Sequence, residues 1–240
     1  MAGLSQRFIK AGFTLPKYML YIKDKSLFNL AVSSFENYFQ TCKFVFIARD
    51  LFDTKRFIES ECELLGITTY QVILLDLPTS GQAETIFLGL KKAMVKDLEP
   101  ILVFNIDTFR PGFSFPENLL KLDGYLEVFF GDGANWSYAQ TESSGSTRVI
   151  KTAEKNQISN YCSTGLYYFK TSVLFNEAYI NDVQSSISKT SKEFYVAPLY
   201  NFLIETGNNI HIHLIKKEEV QFCGVPNEYY AYLEQKINDN

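Results

Sequence analysis

Two apolar runs separated by one helix-length interval constrain this fold more than any other feature of the sequence. Lys43-Phe44-Val45-Phe46-Ile47-Ala48 is aromatic and β-branched without polar alternation, the pattern of a strand covered on both faces. Asp50 or Asp53 can cap a helix running to Leu65, where Gly66 ends it, and residues 68–75 form the next strand. Ahead of this unit, residues 26–39 place Leu27, Phe28, Leu30, Ala31, Phe35 and Phe39 at helical spacing, so that segment packs on a sheet. The rhythm predicts an α/β, Rossmann-like fold with a mostly parallel central sheet flanked by helices. In such sheets ligands bind beyond the carboxyl ends of the strands.

Pro100-Ile101-Leu102-Val103-Phe104-Asn105-Ile106-Asp107 carries an apolar run to a carboxylate at one such end. An ionised carboxylate is expensive to desolvate alone, so Asp107 is expected to bind Mg²⁺; the plainer reading makes it a cap for the turn before Arg110-Pro111-Gly112. Leu77-Pro78-Thr79-Ser80-Gly81-Gln82-Ala83-Glu84-Thr85 opens a helix through about Met94, with Thr79 or Ser80 as N-cap. Small residues there let a ligand lie against backbone.

The first seventeen residues have the makeup of an anion-holding loop. Gly3 lacks a Cβ and can adopt positive φ, successive peptide N–H groups with Ser5 can surround oxygens, and Arg7 and Lys17, the latter behind Pro16, supply cations.

From Phe113 the alternation becomes β-rich. Residues 123–130, 136–140 and 147–152 read as strands with a hairpin turn at Ser143-Ser144-Gly145-Ser146. Tyr161-Cys162-Ser163-Thr164-Gly165-Leu166-Tyr167-Tyr168-Phe169 is another strand. A helix with Glu193-Phe194-Tyr195 near its start is stopped by Gly207, and residues 210–215 alternate. His211 and His213 share a strand face, read as solvated rather than as a metal pair because no third ligand lies nearby in sequence.

At 240 residues with 46% hydrophobic content the chain suits one domain, with a nucleotide-binding part over about 1–110 and a small acceptor-binding part over about 111–240. The net charge of −4 lacks the basic footprint of a nucleic-acid binder. No apolar stretch is long enough to span a bilayer and no signal sequence opens the chain, so the expectation is a cytoplasmic protein without nucleic-acid or membrane partners. Cys42, Cys62, Cys162 and Cys223 are widely spaced, as expected of buried thiols rather than of a zinc site or disulfides.

The order Ala2-Gly3-Leu4-Ser5-Gln6-Arg7-Phe8 followed by Pro16-Lys17 resembles the signature loop of the sugar-phosphate nucleotidyltransferases, roughly Gly-x-Gly-Thr-Arg-(Leu/Phe) then Pro-Lys. The resemblance continues in the family's order through residues 79–85, Asp107, Glu154-Lys155 with the Gly165 strand, and Gly224-Val225-Pro226-Asn227-Glu228. It implies a GT-A-like nucleotidyltransferase fold and attack by an acceptor phosphate on the α-phosphorus of a nucleoside triphosphate. Implied nucleotide contacts are Ala2, Gly3, Leu4, Ser5, Arg7, Thr79, Ser80, Gly81 and Gln82. Arg7, Lys17 and Asp107 are the implied catalytic residues, with Asp107 holding Mg²⁺, and Lys155, Gly165, Glu193 and Tyr195 are on the acceptor side. The short length, the Thr14-Leu15-Pro16-Lys17 variant of the loop and the stretch from Glu193 resemble small members of the family found in capsule and surface-polysaccharide pathways. It is that overall likeness, not any single residue, that implies CTP as the nucleotide and phosphoglutamine as the phosphorylated acceptor. A sugar-1-phosphate acceptor is the alternative, and a glycosyltransferase or a silent nucleotide-binding protein is the other.

Two departures stand out. Phe222 occupies the position of a second metal-binding Asp, leaving Asn227 or Glu228 to serve. In the family a buried strand precedes the loop, whereas this sequence starts at the loop, and an absent strand would leave its neighbours' backbone groups unpaired.

Overall fold

The computed structural model describes residues 1, 3, 5–186 and 193–238. In chain order come α1 (Gln6–Lys10), the hairpin strands β1 (Tyr21–Ile22) and β2 (Lys25–Ser26), α2 (Leu27–Val32), β3 (Phe44–Arg49), α3 (Thr54–Leu65), β4 (Tyr70–Leu75), α4 (Gln82–Lys92), β5 (Ile101–Val103) and β6 (Thr108–Phe109). There follow β7 (Gly124–Phe130), β8 (Ser137–Thr141), β9 (Val149–Glu154), β10 (Tyr161–Phe169), α5 (Ser172–Gln184), α6 (Leu199–Glu205), β11 (Ile210–Leu214), β12 (Gln221–Phe222) and α7 (Pro226–Asn238). These elements make a mixed α/β protein with sheets flanked by helices, divided into two compact units.

The first unit comprises Met1–Pro78, Asn105–Ser114 and Glu218–Asn240. Its β3 and β4 pair in parallel from Phe44↔Tyr70 to Arg49↔Leu75, as the βαβ pattern requires. Gly66 ends α3 in the left-handed conformation at φ 71°, which costs glycine nothing. The helix expected over residues 26–39 splits. α2 ends at Val32 and continues as 3-10 turns over Ser33–Tyr38, with Phe35 off-helical at φ −110°. Ser34 is the cause we can name, since its hydroxyl accepts the Arg110 N–H at 2.8 Å and serine side chains that bond backbone compete with the helix ladder. Short β6 and β12 pair antiparallel, Thr108 opposite Phe222.

The core of this unit gathers Phe8, Ile22, Leu27, Ala31, Phe109, Cys223 and Tyr229. A buried carboxylate, Glu61, is satisfied inside it. It accepts from the Ser26 hydroxyl at 2.8 Å and the Asn29 amide at 3.0 Å, while Ser26 also caps α2 through the Asn29 N–H. Beside β3, the Met1 amino nitrogen donates to the Ile47 carbonyl at 2.8 Å, so this acceptor on the strand is paired.

The second unit comprises Thr79–Phe104 and Phe115–Lys217. Its sheet runs β11-β7-β10-β8-β9, with β5 also paired to β10. Parallel pairing is confined here to β11 with β7; β10 is antiparallel to β5, β7 and β8, and β8 to β9. The parallel majority expected from the βαβ rhythm therefore stops where that rhythm stops. A hairpin such as β8–β9 closes through a short turn and is antiparallel by construction. Ala83, Ile86 and Leu90 of α4, Phe175 and Ala178 of α5 and Leu199 and Leu203 of α6 pack with the sheet's apolar residues. Among the described residues no helix is long and apolar enough to cross a membrane.

Candidate active site

In the first unit the chain brings together two sequence-predicted residues ninety positions apart. The Lys17 ammonium donates to the Asp107 carboxylate Oδ2 and forms an ion pair with it. Pro16 sets up the 3-10 turn Lys17–Met19, and the Lys17 N–H points to the Ser5 hydroxyl at 3.5 Å, so the turn that carries the cation is anchored to the N-terminal loop. Asp107 lies four residues past the end of β5, not at the strand's last position. Its carbonyl accepts the Cys223 N–H at 2.8 Å, which fixes the turn against the strand pair β6–β12. Burial pushes the Asp107 carboxyl up, but the Lys17 charge and hydrogen bond outweigh it, and the group is held below its usual range. The nearby Cys223 thiol is pushed up to about 12, first by burial and then by the Glu228 and Asp107 charges.

Gly224 stands against this carboxylate, where a Cβ would lie 3.3 Å from Asp107 Oδ2 and 3.6 Å from Glu228 Oε2. The Glu228 carboxylate accepts the Gly224 N–H at 2.8 Å and the Val225 N–H at 3.2 Å. It thus closes the start of α7, where donors lack helical partners, a role invisible in the motif spelling. Phe222 is half-buried and paired in β12. Among the described residues no group of three or more His, Cys, Asp or Glu could hold a metal ion. A single carboxylate, Asp107, is a donor set of the size Mg²⁺ takes, since that ion binds through one or two carboxylates plus substrate phosphates and keeps several waters.

The N-terminal loop differs from the expectation in which residue takes the glycine-like conformation. Ser5, not Gly3, is left-handed, at φ 47°, and a Cβ on Gly3 would meet nothing within 4 Å. Ser5 stands where the family pattern has its second glycine, which explains that glycine: the backbone there favours a residue without Cβ. Arg7 is exposed and makes no ion pair or hydrogen bond among the described residues beyond its backbone. Ala2 and Leu4 lie outside the described residues.

In the second unit, α4 begins one residue after Gly81, which is the N-cap at φ 131° with no side-chain bond. Neither Thr79 nor Ser80 caps it. Thr79 bonds Thr85 Oγ1 at 2.7 Å, and the Ser80 N–H goes to the Glu84 carboxylate. Gln82 opens the helix half-buried. The reason glycine is required at 81 is Phe194, whose backbone nitrogen would lie 2.6 Å from a Cβ there. The Phe194 N–H donates to Ser80 O at 2.7 Å, and the Ala83 N–H donates to Phe194 O at 3.0 Å. Residues 193–195 are therefore an extended strap bonded to the entry of α4, not the start of a helix. The helix begins at Leu199, after Pro198, because proline disfavours helical geometry in the residue before it.

That strap meets Lys155. The Lys155 ammonium donates to the Tyr195 hydroxyl, which donates to Glu193, and Lys155 lies 4.0 Å from Glu193 and 4.4 Å from the Tyr195 ring centroid. The Tyr195 hydrogen bond raises the Lys155 pKa first, with Glu193 and Glu154 adding to it. Lys155 is itself left-handed at φ 54°. Its neighbour Glu154, named from sequence as part of the Glu-Lys pair but given no role, accepts from Ser137, and Tyr167 reaches the same hydroxyl at 3.4 Å. Burial raises the Glu154 pKa against those contacts. Its adjacency to Lys155 was the available signal. Gly165 is buried at the register shift of β10, at φ 89°, and its N–H goes to Ser163 Oγ at 3.1 Å, so a bulge explains this glycine without a ligand. His211 is bonded to Thr147 at 2.7 Å and Asn209 at 2.9 Å, and His213 lies 6.2 Å from the Tyr125 ring. All four cysteines are free, three of them buried.

No protein-family model matches the chain, and no curated protein does. Solved structures do match. The nucleoside-diphosphate-sugar pyrophosphorylase from Vibrio cholerae RC9 is 50% identical, with a TM-score of 0.93 and 98% of each chain covered. The inositol-1-phosphate CTP transferase from T. maritima, at 17% identity, shares the fold with a TM-score of 0.71 over 99% of this chain and 94% of its own. The CTP:phosphocholine cytidylyltransferase from Streptococcus pneumoniae, at 11% identity, does so with a TM-score of 0.72 over 97% and 94%. Half-identity to the Vibrio cholerae protein over nearly all of both chains agrees with the loop and the paired Lys17 and Asp107, and the chain belongs to the nucleotidyltransferase family.

Proposed function

We propose that the chain transfers CMP from CTP to a phosphorylated small metabolite with release of pyrophosphate, in a Mg²⁺-dependent reaction, and that phosphoglutamine in capsular phosphoramidate synthesis is the acceptor. The observation that carries the chemistry is the Lys17–Asp107 pair, a cation and a carboxylate held together, and the reaction asks for no general base. None is needed, because a phosphate acceptor is already ionised near neutral pH. An acceptor phosphate oxygen attacks the α-phosphorus, the bond to the bridging oxygen of the β-phosphate breaks, and pyrophosphate leaves with the electron pair. Catalysis of this kind is positioning and neutralisation of charge.

Arg7 and Lys17 are assigned the β and γ phosphates, Thr79 to Gln82 the ribose or an edge of the base, and Lys155 the acceptor's phosphate. Glu193 and Tyr195 orient the Lys155 ammonium and offer an acceptor and a hydroxyl to the rest of the molecule. Asp107 would hold Mg²⁺, which would supply neutralisation of the phosphate charge. A second reading, a sugar 1-phosphate as acceptor, is favoured by the name of the 50% identical Vibrio cholerae protein.

The test is pyrophosphate release with each of the four NTPs and MgCl₂, with phosphoglutamine or a panel of sugar 1-phosphates. Release with CTP and phosphoglutamine alone supports the first reading, and release with a sugar 1-phosphate replaces it with the second. Folded protein that releases nothing with any pair overturns both.

A further inference from the structure

Among the described residues six non-glycine residues have positive φ: Ser5, Lys23, Phe52, Asp53, Met94 and Lys155. Most have a local reason. Lys23 turns the β1–β2 hairpin, Met94 lies just past α4, and Ser5 and Lys155 belong to the site already described. Phe52 and Asp53 are adjacent, at φ 56° and 53°, between the carboxyl end of β3 and the start of α3. A bulky side chain in the left-handed region is an outlier, and such strain persists only where surrounding structure imposes it.

Packing does not account for the phenylalanine. Phe52 is 59% exposed and makes no ring contact or hydrogen bond among the described residues. The turn beneath it is nevertheless rigidly braced. The Thr54 N–H donates to Leu51 O at 3.1 Å, its hydroxyl bonds the same carbonyl, and Thr54 Oγ1 is 2.8 Å from the Tyr18 hydroxyl in a buried bond. Tyr18 is the residue after Lys17. A strained loop at a strand's carboxyl end is thus tied, within one unit, to the backbone that carries the candidate phosphate-binding lysine, and it holds an aromatic face toward solvent.

We infer that Phe52 is a stacking platform for the base of the nucleotide whose phosphates Lys17 engages. The inference rests on the nucleotidyltransferase reading. A flat π face in water gains from stacking on a base whatever its sequence identity, and a braced turn loses little entropy on binding. Phe52 therefore acts on affinity for the base and not on the phosphates.

The experiment is isothermal titration with MgCl₂ of wild type, Phe52→Gly and Phe52→Tyr, against each NTP and against inorganic tripolyphosphate as a base-free probe. Glycine adopts φ 56° without strain, so Phe52→Gly is expected to melt no lower than wild type. Its NTP affinity is expected to fall about tenfold with tripolyphosphate affinity unchanged, and Phe52→Tyr to bind as wild type does. NTP affinity within twofold of wild type in Phe52→Gly, or an equal loss for NTP and tripolyphosphate, overturns the inference while leaving the nucleotide reading intact. Wild type that binds no NTP overturns both.

Discussion

The two units each hold a lysine paired with a carboxylate, Lys17 with Asp107 and Lys155 with Glu193, and the environments differ. In the Lys17–Asp107 pair the side chains are 24% and 19% exposed; in the Lys155–Glu193 pair they are 49% and 60% exposed. Burial makes a pair's members depend on each other, because removing one partner strands a desolvated charge. Solvent relieves that dependence, and an exposed pair contributes little to stability. Under the proposed function the first pair joins the fold's integrity to its chemistry, whereas the second, in solvent, leaves the fold little dependent on its lysine. Tyr195 adds a further difference: Lys155 is oriented by a hydroxyl that a phosphate oxygen can replace.

The sharpest way to break this contrast is through turnover. Asp107→Asn is expected to lower pyrophosphate release by at least about 10²-fold, measured with the NTP and acceptor that the wild type uses. Retained turnover would reduce Asp107 to a turn-closing residue. Next in size is stability. Lys17→Met leaves the part-buried Asp107 carboxylate without its lysine, and denaturant unfolding is expected to show a loss of up to about 3 kcal/mol, largely recovered in Lys17→Met/Asp107→Asn. An unrecovered loss would place the lysine's role in packing.

Lys155→Ala should do the reverse. We expect about a tenfold rise in the acceptor KM with unfolding stability within about 0.5 kcal/mol of wild type. A stability loss as large as that of Lys17→Met would erase the distinction between the units. The smallest effect is on pH dependence. The Asp107 carboxyl titrates below its unfolded value, so its contribution is complete above an unfolded pKa of about 3.9 and is lost as pH falls through the lower folded value. Acid unfolding of Asp107→Asn should accordingly have a shallower slope below about pH 4 than wild type, and identical slopes would mean that the pair is not formed in solution.

Much of this was legible in sequence where the relevant physics is local. The apolar run at Phe44–Arg49, the stop at Gly66 and the Tyr161–Phe169 strand follow from periodicity and glycine's freedom at positive φ. Errors arose where a distant partner overrode a local preference. Ser34 leaves the helix pattern for the Arg110 N–H. Gly81 replaces Thr79 and Ser80 as cap because the Phe194 backbone presses on it, and Glu193 to Tyr195 form a strap because Ser80 and Ala83 supply its hydrogen bonds.

By itself, the sequence determined the α/β class and named Arg7, Lys17 and Asp107 as candidates, since residue type and spacing already specify burial faces, turn chemistry and available charges; Lys155 entered only through the family resemblance. The tertiary structure alone decided that Lys17 pairs with Asp107 while Lys155 faces Tyr195 and Glu193. It also decided that Ser5 takes the conformation of the family's glycine, that Glu228 closes α7, and that Phe52 stands strained in water. These outcomes depend on which groups meet after ninety or more residues of chain have closed on themselves in the case of Lys17 and Asp107. Local pattern carries no record of such meetings, because the free energy of each charge is set by the partners and the dielectric that folding brings to it.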